Sequence, residues 1–136
     1  MTNVDLARAY LEKCRKRLKA LAVLHAEQGW SDVIREAQEI VELALKGILR
    51  AIGVEPPRIH DVGGLLVEHR DKLPDDISAE APRLAAISKR LRKERELAFY
   101  GDIDYIPTEE YDEADSRVAL DDATWVVETA ARLLGG

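Results

Sequence analysis

The sequence predicts an all-α fold, an up-and-down bundle of four long helices plus one short helix in a single domain over residues 1–136. Three observations predict it. The chain is rich in Ala, Leu, Glu and Arg, with 5% aromatic residues and 5 prolines, a composition that favours helix. Its apolar residues recur at i, i+3 and i+4, most clearly between Val33 and Ile52. No segment alternates apolar and polar residues between hairpin turn dipeptides, so no strand candidate survives. A chain of 136 residues is long enough to bury a real core.

The first helix is expected from Thr2 or Asn3 to about Glu27. Thr2 and Asn3 are good N-caps, Asp5 suits the positive helix end, and Leu6, Tyr10, Cys14, Leu18, Leu21 and His25 keep helical spacing. Gln28-Gly29 breaks it. The second helix follows Trp30, with Ser31 as its expected cap. Val33, Ile34, Ala37, Ile40, Val41, Ala44, Leu45, Ile48, Leu49 and Ile52 form its wide apolar stripe. Such a stripe suits the central helix of a bundle, or one that also packs against a second subunit. Gly53 is placed to be the C′ residue, and Glu36, Glu39, Glu42 and Lys46 line the polar edge.

Pro56-Pro57 stiffen the connection to a short third helix, expected from Val62 to Lys72 with Asp61 as cap and Leu65, Leu66 and His69 inward. Ser78 is the expected cap of the fourth helix, which runs to about Tyr100 and holds Pro82 in or near its first turn. Asp102 to Pro107 reads as a loop. The last helix starts at Thr108 or Asp112, with Ala114, Val118, Leu120 or Asp121, Trp125, Val126, Thr129 and Leu133 on its inner face.

Composition also excludes some functions. The formal net charge of −6 argues against a non-specific coat on duplex DNA. No apolar run approaches the roughly 20 residues that span a bilayer. The first turn carries Asp5 and Arg8 without an apolar run behind it, which does not read as a signal peptide. Cys14 is the single cysteine, so no internal disulfide framework is expected; this agrees with a reducing, cytoplasmic setting. Charge is unevenly distributed. Lys13, Arg15, Lys16, Arg17 and Lys19 make one basic run and Lys89 to Arg95 another, while the chain beyond Asp102 is acidic. A solvated helix face is the plain reading of each run.

The second basic run carries the sharper hypothesis. Leu84, Ile87, Leu91, Arg95 and Ala98 share one helical face, which puts an arginine on an otherwise apolar stripe. Arg95 therefore needs a partner. Glu39 or Glu42 supplies one if the second and fourth helices pack antiparallel. A forced charge beside the aromatic pair Phe99-Tyr100 and a basic rim points to an anion site. Its candidate phosphate-binding residues are Arg92, Arg95, Tyr100 and Asp102, supported by Glu39, Glu42 and Lys46. The plain alternative is a structural arginine paired with a glutamate. His25, His60 and His69 lack metal-ligand spacing, so no metal site is expected; His60-Asp61 reads as a connection and cap, and His25 and His69 as helix-edge residues.

The block from Trp30 to Ile52, followed by Gly53, Pro56-Pro57 and His60-Asp61, closely resembles the second helix and following Pro-Pro…His-Asp connection of the HEPN family (higher eukaryotes and prokaryotes nucleotide-binding domain). The first helix, the Arg-rich fourth helix and the helix after Tyr111 fit in order. The resemblance implies a helical bundle that pairs as a homodimer. It also implies a group whose small prokaryotic members accompany a minimal nucleotidyltransferase, often as a toxin–antitoxin pair. Active members are metal-independent endoribonucleases whose site is an Arg followed, after four to six residues, by a His; for this chain the expected partners are a nucleotide or single-stranded RNA, with no cofactor.

Here Arg95 is followed after four residues by Tyr100 instead. The substitution has chemical weight. Cleavage at a 2′-hydroxyl needs a proton acceptor, a proton donor and a cation for the charge on phosphorus. A phenol with pKa near 10 is ionised at about one part in a thousand at pH 7, which leaves it roughly 4 kcal/mol behind as a base. Tyr100 reads first as a packing or helix-ending aromatic, and in a sharper reading as an acceptor of nucleotide transfer from a partner enzyme. The expected function is a homodimeric nucleotide- or RNA-phosphate-binding module, with a metal-independent endoribonuclease using Arg95 and Tyr100 as the alternative.

Overall fold

The computed structural model describes residues 2–56, 58, 61–99 and 110–135, with the backbone alone for 96–99. Among these residues the helices are α1 (Asn3–Ala26), α2 (Trp30–Ala51), α3 (Val62–Glu68), α4 (Asp75–Phe99) and α5 (Glu113–Leu134), with a 3₁₀ turn at Arg70–Lys72. No strand occurs among them.

α1 opens on a capping box. The Thr2 hydroxyl accepts from the Asp5 N–H at 3.1 Å, and the Asp5 carboxylate accepts from the Thr2 N–H at 3.0 Å. Donation to its carboxylate by the Thr2 backbone N–H first, and then by the Thr2 hydroxyl, lowers the Asp5 pKa. Just past the end of α1, Gln28 takes a left-handed φ of 64°, with Gly29 N–H bonded back to the Leu24 carbonyl at 2.9 Å. The Gly29 carbonyl then accepts from Val33 at 3.0 Å, so α2 starts at Trp30 with no side-chain cap. The expectation that Ser31 caps α2 is therefore corrected. The chain turns straight from one helix into the next, and Ser31 lies buried inside the first turn. At the far end Gly53 meets its expectation: φ is +80°, Gly53 N–H reaches the Arg50 carbonyl at 3.1 Å and Val54 N–H reaches Leu49 at 2.9 Å.

Pairwise contacts set the helix directions. Gly47 lies against Ala7 and Tyr10, while the Cys14 thiol donates to the Ile40 carbonyl at 3.6 Å, so α1 and α2 are antiparallel. Arg8 reaches the Leu134 carbonyl and His25 reaches Ser116, so α1 and α5 are antiparallel. Arg90 pairs with Asp122 and Arg83 stacks on Trp125, so α4 and α5 are antiparallel too. α1 and α4 run one way and α2 and α5 the other, which is the expected up-and-down bundle. α2 is the central member, touching α1, α3, α4 and α5.

α3 packs on α4 through a glycine. A Cβ at Gly63 would lie 2.6 Å from the Ala85 Cα, so only glycine permits this approach. Asp61 caps α3 as expected, accepting from Gly63 N–H at 3.1 Å. The inward residues are Val62, Gly63 and Leu66, whereas Leu65 and His69 are half-buried. The regular helix stops at Glu68, short of Lys72.

Two further expectations are corrected. α4 begins at Asp75 rather than after Ser78, because the Pro74 carbonyl already accepts from Ile77 and Ser78. Pro82 consequently sits inside the helix, beyond its first turn. The inner face of α5 keeps the expected Val126 and Thr129 but otherwise differs from the expected one. Ser116, Ala119, Ala123, Val126, Val127, Thr129, Ala130 and Leu134 are buried, while Val118 is 52% exposed. Asp112 is the cap, in a capping box with Asp115. The small Ser116, Ala119 and Ala123 fill the first half of the buried face, and Leu120, Trp125 and Leu133 are half-buried at its sides. α1 shows the same shift: Ala7 and Leu11 are buried, whereas Leu6 and Tyr10 are half-buried.

Candidate functional site

The last described turns of α4 carry Arg95 to the polar edge of α2. Its Nη2 donates to Glu39 Oε1 at 3.0 Å, the partnership expected from an antiparallel α2–α4 pair. Glu39 is the shared centre of a larger cluster. Arg17 of α1 approaches its other oxygen at 3.5 Å, and Arg35 of α2 approaches Oε1 at 3.7 Å. Guanidinium groups from three helices thus meet on one carboxylate, whose side chain is 23% exposed.

This cluster borders an open pocket of about 290 Å³ lined by Lys13, Arg17, Glu39, Glu42, Leu43, Lys46 and Arg95. Four cations face two carboxylates there, a local positive excess on a chain of net charge −6. Arg95 remains 38% exposed, so its fork reaches solvent as well as Glu39.

The expected site residues divide as follows. Arg95, Glu39, Glu42 and Lys46 come together at the pocket. The ion pair of Arg95 goes to Glu39, and Glu42 lines the wall. Arg92 turns toward Asp61, 3.9 Å away at the α3 cap, and is not part of the pocket lining. Tyr100 and Asp102, like His60 of the connection, lie outside the described residues. Sequence reasoning missed Lys13, Arg17, Arg35 and Leu43 as neighbours of this site. A signal existed for two of them. Lys13 and Arg17 are one turn apart on the edge next to Cys14, and Cys14 packs on Ile40, which fixes them opposite Glu39 and Leu43.

What the pocket can do follows from its groups. Guanidinium and ammonium donors bind phosphoryl oxygens, the arginines in forked fashion. None of its described lining residues is a histidine, the residue suited to proton transfer at neutral pH. His25 serves elsewhere. It is buried, contrary to a helix-edge position, with Nδ1 2.8 Å from Ser116 Oγ and its ring 5.2 Å from Trp30, bracing α1 against α5. Cys14 is a core residue as expected. Burial pushes its thiol up to about 11, with Arg17 opposing weakly. Among the described residues no group of three or more His, Cys, Asp or Glu could hold a metal, and no helix is long and apolar enough to cross a membrane.

Fold and pocket together define a class: an all-helical bundle with a cation-rich, arginine-bearing pocket beside its central helix. The HEPN domain family model matches residues 7–133, and the chain belongs to that family. The crystal structure of TT1696 from Thermus thermophilus is similar in fold, with a TM-score of 0.68 and 24% sequence identity, over 93% of this chain and 96% of that one. No curated protein matches the sequence. Family membership supports a nucleotide- or RNA-related module in general terms.

Proposed function

We propose that this protein is a homodimeric, cytoplasmic module that binds nucleotide or RNA phosphate through Arg95 and works with a minimal nucleotidyltransferase partner, in the manner of a toxin–antitoxin pair. The observation that carries the reading is the meeting of Lys13, Arg17, Lys46 and Arg95, from three helices, around one open pocket. A purely structural arginine needs one carboxylate and no surrounding excess of cations. Binding is favoured over cleavage because Tyr100 stands where the family's ribonucleases carry histidine, and a phenol is a poor base at pH 7.

The test titrates ATP and a short labelled single-stranded RNA by fluorescence anisotropy. Both should bind, RNA with affinity that falls as salt rises, and Arg95→Ala should weaken each by about tenfold or more, the worth of a charge-assisted hydrogen bond. Salt-independent or undetectable binding leaves Arg95 only its pairing with Glu39. Incubation with RNA in EDTA decides the enzymatic alternative: cutting that disappears in Arg95→Ala makes the protein a ribonuclease. Gel filtration at micromolar concentration tests the dimer, and co-purification with the product of an adjacent nucleotidyltransferase gene tests the partner.

A further inference from the structure

The charge arrangement around Glu39 discriminates between kinds of phosphate. The pocket presents Lys13, Arg17, Lys46 and Arg95 against Glu39 and Glu42, two cations in excess. An internal phosphodiester carries one negative charge. A terminal phosphomonoester, with a second pKa near 6, carries close to two at pH 7. Glu39 meanwhile occupies the centre of the guanidinium cluster, with Arg95 at 3.0 Å, Arg17 at 3.5 Å and Arg35 at 3.7 Å. It orders those groups as a bound anion does, and it repels any anion that approaches them.

We infer that the pocket selects a terminal phosphate monoester, and that binding transfers Arg95 from Glu39 to the phosphoryl oxygens. This rests on the proposed phosphate-binding role of Arg95 and adds to it a substrate class and a resident competitor. Arg95 commits Nη2 to Glu39. Its fork has further N–H donors for a phosphate, and once Arg95 swings away Glu39 keeps Arg17 at 3.5 Å and the more distant Arg35 at 3.7 Å, whose hydrogen bond goes to Glu36 at 2.9 Å. The monoester belongs either to a mononucleotide or to the 5′ end of an RNA.

Isothermal titration of the full-length protein tests this with four probes: adenosine 5′-monophosphate, its 3′,5′-cyclic diester, and hexa-adenylate bearing a 5′-phosphate or a 5′-hydroxyl. The monophosphate should bind about tenfold more tightly than the cyclic diester, as one extra charge among clustered cations predicts. A matching gap between the two hexamers assigns the site to RNA ends as well. Equal, weak hexamers beside a tight monophosphate assign it to mononucleotides.

Glu39→Gln keeps an oxygen that accepts from Arg95 while removing the competing charge. With phosphorus roughly 6 Å away in a water-screened site, affinity for the monophosphate should rise about tenfold and for the cyclic diester about threefold. Monophosphate and cyclic diester binding equally to the wild-type protein, both dependent on Arg95, overturns this inference and leaves the general phosphate-binding function standing. Loss of monophosphate affinity in a folded Glu39→Gln protein overturns the exchange. No Arg95-dependent binding of any probe overturns both readings.

Discussion

The Arg70 guanidinium donates through Nη2 to the backbone carbonyl of Ser78 at 2.8 Å, with Nε 3.4 Å from the Ser78 hydroxyl. That carbonyl lies four residues before Pro82, which has no N–H to return to it. A side chain from the preceding 3₁₀ turn therefore supplies the donor that α4 lacks.

Removing this donor exposes the defect. Arg70→Ala should destabilise the fold by about 1–3 kcal/mol, the range for leaving a half-buried acceptor without its charged donor. Pro82→Ala restores the helical N–H, so the double variant should lose less than the sum of the two single changes. Urea unfolding of the four proteins measures the coupling, and strict additivity contradicts this role for Arg70.

Gly63→Ala should be among the most damaging small changes. The new Cβ meets the Ala85 Cα at 2.6 Å, a backbone atom that cannot swing aside. Overpacking of this kind costs about 1–3 kcal/mol. Thermal melting followed by circular dichroism should show the loss, whereas Gly53, where an added Cβ would meet nothing within 4 Å, is limited by its φ of +80° and not by space.

Gln28→Gly should stabilise. Gln28 holds a φ of 64°, where an L side chain costs about 1–2 kcal/mol and glycine nothing. The greater freedom of glycine in the unfolded chain offsets part of this, leaving a gain of about 0.5–1 kcal/mol. A lower urea midpoint for the variant contradicts the assignment of strain to this position.

Cys14 makes stability fall at alkaline pH. Its folded pKa is raised from 9.0 to about 11 by burial, so the unfolded chain releases the proton first. The contribution is fully present below pH 9 and is lost as pH rises toward 11, by on the order of 2 kcal/mol. Cys14→Ala should lack that part of the slope. Native protein at pH 8, with about one thiol in a thousand ionised, should resist iodoacetamide until it unfolds.

The legible features share a physical origin: they are written in residues close together along the chain. The wide stripe of α2, the Gly53 stop and the Asp61 and Asp112 caps follow from local spacing and turn chemistry. The Arg95–Glu39 pair was legible for a related reason, since a charge placed on an apolar face demands a partner from the helix that covers it. Ser78 does not cap α4 because Pro74 offers its carbonyl first, and the α5 face departs from expectation in its first half, where the small Ser116, Ala119 and Ala123 are buried in place of Ala114 and Val118, while Val126 and Thr129 lie inward as expected.

From the sequence alone came the all-helical class, the order of the helices and the one arginine that needs a carboxylate partner on the neighbouring helix. Only the tertiary structure decided that Lys13 and Arg17 join that arginine at one pocket while Arg92 turns away to Asp61. Local propensity is encoded within a few residues, whereas the grouping of charges from three helices depends on their mutual rotation, which packing around α2 sets.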